Sequence, residues 1–278
     1  MEKRCDLHSH SRFSDGTLTP TQLVRLAEAQ GLSALALTDH NTSGGLPEFL
    51  EAGRHSPVIT VPGCEFSTEY RGKEVHMVGL FLGPETWPEV EDYVALMHLA
   101  KRNSNVKMIE ALRRDGYDVS VEEAAALTES EDFNRSHVAR VLMAKGVVAS
   151  VREAFDTLLR EGGGYYVPAK KLGTIATVRF IRSYGGVPVL AHPFLNLTAD
   201  ELREFLPKAK EAGLIAMETH YTEFSPETTR LAECMAREFG LKQSGGSDFH
   251  GETKPKIALG TGWGDLNVPF RFYEELRP

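Results

Sequence analysis

Ala34-Leu35-Ala36-Leu37-Thr38-Asp39-His40 sets four apolar residues in an unbroken run and ends them on a polar triplet. A run that does not alternate with polar residues suits a strand buried on both faces, as in a parallel sheet covered by helices. Upstream, residues 3–7 read as a short β run that leads into His8-Ser9-His10. Thr19-Pro20 then announces a helix carrying Leu23, Leu26 and Ala27 at helical spacing, and Gly31 follows its end. Downstream, the pattern expects a shorter helix near 46–52 and a strand over 58–66. A strand over 74–82 pairs with the latter as a hairpin across Tyr70-Arg71-Gly72-Lys73.

From residue 88 to residue 161 the β signal vanishes. Helical spacing runs over 90–115, 121–127, 136–145 and 151–160, which reads as an insertion in an α/β body. Gly162-Gly163-Gly164 lacks the Gly-Lys-Ser/Thr of a phosphate cradle and reads as a return linker. Alternation then resumes: helix 174–184, strand 187–190, helix 199–212, strand 214–218, helix 226–239, strand 241–244. The tail, 256–278, carries mixed signals. Repeated βα units of this length indicate a parallel barrel or a doubly wound sheet. The expected division is residues 1–87 with 162–278 as the barrel and 88–161 as a helical insertion capping the active site.

The chain has 278 residues, 41% of them hydrophobic and 25% charged, enough for a core in a soluble protein. A formal net charge of −8 disfavours general affinity for long nucleic acids or anionic membranes. No apolar run approaches the ~20 residues a bilayer requires, and the N-terminus moves straight into a strand, so a cytoplasmic location is expected. Cys5, Cys64 and Cys234 show no metal-ligand spacing and read as three buried thiols.

Of the ten histidines, six fall at or beside strand ends: His8, His10, His40, His76, His192 and His250. An H-x-H pair on an extended chain points both rings to one side. Together with Asp15, Glu65 and Asp248 from other segments, these imidazoles make a divalent-metal site. Burying so many polar groups without partners or metal would cost several kcal/mol. Asp15 also suits a turn in Ser14-Asp15-Gly16. Asn134-Arg135-Ser136-His137 opens a helix, where Arg135 and His137 would clamp a phosphate or serve as a helix cap. Lys170 and Lys171 are weaker phosphate contacts, and His220 either reaches the site or flanks it. His55 is expected exposed, and His98 on a helix in core or at the surface.

His8-Ser9-His10, Ser14-Asp15-Gly16, Thr38-Asp39-His40, Gly63-Cys64-Glu65, His76, Ala191-His192-Pro193 and Ser247-Asp248-Phe249-His250 together resemble the polymerase-and-histidinol-phosphatase (PHP) family. The resemblance runs from residue 4 to about residue 250. It implies a distorted (β/α)7 TIM-like barrel holding two or three divalent ions, Mn, Fe or Zn, and phosphoester hydrolysis by metal-activated water. It also implies that His8, His10, Glu65 and Asp248 hold one ion. Glu65 bridges to a second completed by His76 and His192, and Asp15, His40 and His250 hold a third. Asp39 would orient a histidine through its other ring nitrogen. The insertion with Arg135 and His137 is similar to that of compact bacterial members acting on small phosphorylated metabolites or nucleotides. A nucleoside 3′,5′-bisphosphate 3′-phosphatase is the expected activity. The alternatives are a cyclic ribose-phosphate phosphodiesterase or a short-oligonucleotide exonuclease, and, in another class, a metal-dependent amidohydrolase.

Overall fold

The computed structural model describes residues 3–127, 133–169 and 171–278, so the expected phosphate contact Lys170 lies outside the described residues. The chain divides into two compact units, Met1–Glu91 with Leu172–Pro278, and Asp92–Lys171.

The first unit is a nearly closed seven-stranded barrel wrapped by helices. In chain order it contains β1 (Cys5–Asp6), α1 (Pro20–Ala29), β2 (Ala34–Leu37), α2 (Leu46–Gly53), β3 (Ile59–Tyr70) and β4 (Lys73–Leu80). α3 (Trp87–Arg114) carries the boundary between the units, and α4 (Val121–Ala125), α5 (Arg135–Ala144) and α6 (Val151–Asp156) belong to the second. The barrel resumes with β5 (Leu172–Gly173), α7 (Thr174–Ser183), β6 (Val187–Leu190), α8 (Ala199–Glu211), β7 (Ala216–Tyr221), α9 (Pro226–Glu238), β8 (Lys242–Gly246) and α10 (Arg271–Leu276).

Strand order is β1-β2-β3-β4-β6-β7-β8, with β5 beside β3. Every neighbouring pair is parallel except those of β4, which runs antiparallel to β3 and β6. The seam closes where Leu7 N donates to Gly245 O at 3.0 Å, Asp248 N to His8 O at 2.9 Å and His10 N to Phe249 O at 2.9 Å.

Period-2 alternation explains both layers of packing. Ala34 and Ala36 point into the barrel with Cys5, Leu7, Val61, Val189 and Ala216. Leu35 and Leu37 point outward against Leu23, Val24 and Ala27 of α1 and Phe49 of α2. Thr19 starts α1 as an N-cap in a capping box with Gln22, and Pro20 follows inside it.

Some expected boundaries move. β3 extends through the polar stretch to Tyr70 because the ladder with β4 runs to the turn. There Arg71 (φ 52°) and Gly72 (φ 77°) supply the two positive φ values a tight hairpin demands. Leu214, expected in a strand, instead finishes α8 through its N–H to Ala209 O, so β7 starts two residues later. The mixed-signal tail carries α10, whose Phe272, Tyr273 and Leu276 enter the barrel core. Cys5 and Cys64 are buried as expected, but Cys234 is exposed on α9.

The second unit has its own core, in which Met108, Ile109, Leu112, Phe133, Val138 and Leu142 are buried. Among the described residues no helix is long and apolar enough to cross a membrane.

Candidate metal centre

The carboxylate of Glu65 is fully buried, and the rings of five histidines surround it. Oε2 lies 3.1 Å from His8 Nε2, 3.3 Å from His10 Nε2 and 3.1 Å from His40 Nδ1. Oε1 lies 2.9 Å from His76 Nδ1 and 3.0 Å from His192 Nε2. His8 and His10 arrive from β1 with ring centroids 5.1 Å apart, as the H-x-H spacing requires. His76 lies within the reversed strand β4 and Glu65 within its partner β3, while the other ligand candidates lie outside the strands.

Asp248 Oδ1 lies 3.1 Å from His10 Nε2 and 3.6 Å from His8 Nε2. On the outer side, Asp15 Oδ1 lies 3.1 Å from His250 Nε2 and 4.0 Å from His10 Nδ1, and Oδ2 lies 3.9 Å from His40 Nε2. Three sets of donor atoms result, each within 4.8 Å of one another: His8, His10, Glu65 and Asp248; His40, Glu65 and His76; His10, Asp15, His40 and His250. Sharing of His10, His40 and Glu65 joins the sets into one centre.

The donor atoms are close together but do not satisfy each other. His8 Nε2, both ring nitrogens of His10, His40 Nδ1 and Glu65 Oε2 are buried with no hydrogen-bond partner; among the described residues only Glu89 Oε2 shares that condition. Buried polar atoms are almost always paired, so orphans converging on one point match the needs of a cation. Mixed imidazole and carboxylate donors suit divalent metal ions.

Electrostatics divide the rings. Burial opposes charge on Glu65, yet His8, His40 and His76 hold its carboxyl well below the usual range. Burial also opposes charge on His10, but Asp248 and Glu65 lift its pKa to about 9. His76 rises against its burial to about 10 beside Glu65 and Glu74. His40 falls to about 3, through burial, with Glu65 opposing and His10 reinforcing the fall.

Several residues that hold the centre carry no sequence signal of their own. Glu218 on β7 accepts from His8 Nδ1 at 2.8 Å through Oε1 and from the His192 backbone N at 2.6 Å through Oε2. His192 needs that tie because its backbone is left-handed (φ 27°, ψ 57°), a conformation costing of order 1–3 kcal/mol. Tyr221 Oη and Lys254 Nζ both donate to Asp248 Oδ2. Gly246 permits close approach, since a Cβ there would sit 2.4 Å from His8 Cβ. Asp39 does not face a histidine nitrogen as expected. It accepts from Ser11 N (2.7 Å), Ser11 Oγ (2.6 Å) and Ser14 Oγ (2.7 Å), and so fixes the turn that presents Asp15.

The remaining candidates lie in other settings. His220 points to Glu233 (3.8 Å) and stacks edge-on with Phe272. In the second unit, Arg135 lies over the Tyr166 ring at 4.2 Å and the Phe155 ring at 4.7 Å, and donates to Leu159 O. His137 Nδ1 accepts from Asn134 N at 3.0 Å in the capping box of α5. His55 is exposed, as expected.

Comparison with known proteins agrees with this geometry. Residues 6–167 match the PHP domain. A 5′-3′ exoribonuclease of Haemophilus influenzae is 33% identical over 251 residues, 90% of this chain and 91% of its own. A 3′,5′-nucleoside bisphosphate phosphatase of Chromobacterium violaceum is 30% identical over 247 residues, 88% of this chain and 86% of its own. A Bifidobacterium adolescentis structure described as a candidate metal-dependent phosphoesterase superposes with a TM-score of 0.81 at 27% identity, covering 99% of this chain and 95% of its own. With the barrel, its reversed strand and this donor cluster, the chain belongs to the PHP family and is a phosphoesterase hydrolase.

Proposed function

We propose that this phosphoesterase cleaves the P–O3′ bond of 5′-phosphorylated ribonucleotides, removing nucleotides from the 5′ end of short RNA. The observation that carries the reading is the set of buried, unpartnered donor atoms around Glu65. The likeness to the Haemophilus exoribonuclease supports RNA as the substrate. The likeness to the bisphosphate phosphatase supports the same bond in the shortest substrate, since a nucleoside 3′,5′-bisphosphate is a 5′-phosphorylated nucleotide with nothing beyond its 3′-phosphate. The activity expected first from the motifs thereby becomes the one-nucleotide limit of the strand reaction. The net charge of −8 favours short strands over long ones.

In this reading His8, His10, Glu65 and Asp248 hold one ion, Glu65 with His76 and His192 a second, and Asp15, His40 and His250 a third. Divalent ions there would lower the pKa of a water and stabilise negative charge developing on the phosphoryl oxygens. Glu218 keeps the proton of His8 on Nδ1, so that Nε2 faces the cluster with its lone pair. Asp39 holds the Ser11–Ser14 turn and with it Asp15. Arg135 and His137 are proposed substrate contacts that also serve the second unit as a stacked cation and a cap. Arg135→Ala separates the two roles: a rise in KM at an unchanged Tm assigns it to substrate, and a fall in Tm with unchanged kinetics assigns it to structure.

The direct test offers the Mn2+-loaded enzyme a 5′-phosphorylated oligoribonucleotide of a few residues, a nucleoside 3′,5′-bisphosphate, a cyclic ribose phosphate and an amide panel. Release of 5′-mononucleotides from the first two supports the proposal. Turnover of the cyclic phosphate or an amide alone replaces it.

A further inference from the structure

Asp248 meets the donor cluster with one oxygen and the protein with the other. Oδ1 faces His10 Nε2 at 3.1 Å and His8 Nε2 at 3.6 Å. Oδ2 accepts from Tyr221 Oη at 3.0 Å and from Lys254 Nζ at 2.7 Å. The two donors differ in kind. Tyr221 is 2% exposed and wedged between the rings of His192 and Phe224, whereas the Lys254 side chain is 37% exposed. Among the described ion pairs, Lys254 is the only lysine or arginine joined to any of the nine cluster residues. Asp248 is also fixed from behind, with a left-handed backbone (φ 56°) and its N–H on His8 O at 2.9 Å.

A carboxylate with both oxygens free can grip a cation with two of them and so take two coordination positions. A hydrolytic centre has to leave positions open for water and for substrate. Two hydrogen bonds on Oδ2, one of them from a cation, oppose the two-oxygen grip.

We propose that Tyr221 and Lys254 are positioning residues that commit Asp248 to the metal through Oδ1 alone and thereby keep a coordination position open for the reaction. The inference rests on the metal reading given above.

The test uses the full chain with Tyr221→Phe, Lys254→Met, the double variant, and Lys254→Arg as the conservative control. Mn2+ per chain and Mn2+ affinity are measured, together with kcat and KM for bis(p-nitrophenyl) phosphate. The expected double variant keeps its full Mn2+ complement at equal or tighter affinity. Its kcat falls about 10–100-fold, the range typical of residues that orient a ligand, with KM little changed. Lys254→Arg restores most of the loss. The inference is overturned by an unchanged kcat, by loss of Mn2+ from the double variant, or by a rise in KM alone for Lys254→Met, which would make Lys254 a substrate contact. The wild-type protein tests the metal reading separately: if it neither binds Mn2+ nor hydrolyses the diester, that reading falls and the inference with it. With the wild type active, the variants judge the inference alone.

Discussion

The inner and outer halves of the donor cluster use the same residue types on different foundations. Glu65 sits mid-ladder on β3, opposite Val78 of β4, fully buried and ringed by five imidazoles. Asp15 sits on a turn, 50% exposed at its side chain, with one histidine nitrogen at 3.1 Å and two near 4 Å. Strand register fixes the first arrangement to within a side chain's rotamers, whereas the second depends on Asp39 holding Ser11 and Ser14. An ion held by the inner half therefore meets a rigid, dry cage, and one at the rim meets a wet and adjustable one.

The contrast is broken most completely by Glu65→Gln, which removes the charge shared by the inner sets. Bound metal measured after dialysis is expected to fall to the background, and phosphoester hydrolysis by roughly 10³-fold or more, the equivalent of several kcal/mol. Glu218→Gln comes next. The amide cannot accept from both His8 Nδ1 and His192 N, so metal affinity should drop about 10–100-fold while far-UV dichroism stays native. Asp15→Asn should be milder. A half-exposed charge is worth about 1 kcal/mol or less, so a titration should show only the weakest ion weakened, by up to roughly fivefold, with the inner ions unmoved.

The smallest effect is counted in protons. At pH 7 the free protein holds His8, His10 and His76 protonated, since neighbouring carboxylates raise all three against burial, His10 to about 9 and His76 to about 10, and a ligating imidazole must be neutral. Metal uptake should release about three protons, read by calorimetry in buffers of different ionisation enthalpy. Uptake should weaken as pH falls, and the release should fade as pH rises through those values. A release of zero at pH 7 would contradict the charged-histidine picture.

Much of this was legible because strand periodicity writes it into the chain. Ala34 and Ala36 had to face one way and Leu35 and Leu37 the other, and the ligand candidates had to gather where such runs end. Glu218, Tyr221 and Lys254 were not legible, since their partners lie 210, 27 and 6 residues away and meet only after the barrel closes. β7 adds a specific obstacle. Strict alternation would put Glu218 and Tyr221 on opposite faces, but a register shift between Glu218 and His220 lets both reach the centre. Asp39 shows the converse failure, where a carboxylate beside a ligand candidate was assigned to a ring and serves a turn.

The barrel seam ties one end of the sequence to the other. Asp6 accepts from Ser247 N at 2.9 Å and from Gly260 N at 2.8 Å, so the first strand is anchored by residues lying 241 and 254 positions downstream. On the ribosome, His8 and His10 emerge early and wait for Asp248 and His250. A chain that has not reached residue 247 lacks the staple, the Asp248 donor of the inner set and the His250 donor of the outer one. Assembly of the centre thus depends on chain segments 241 and 254 residues apart finding one another.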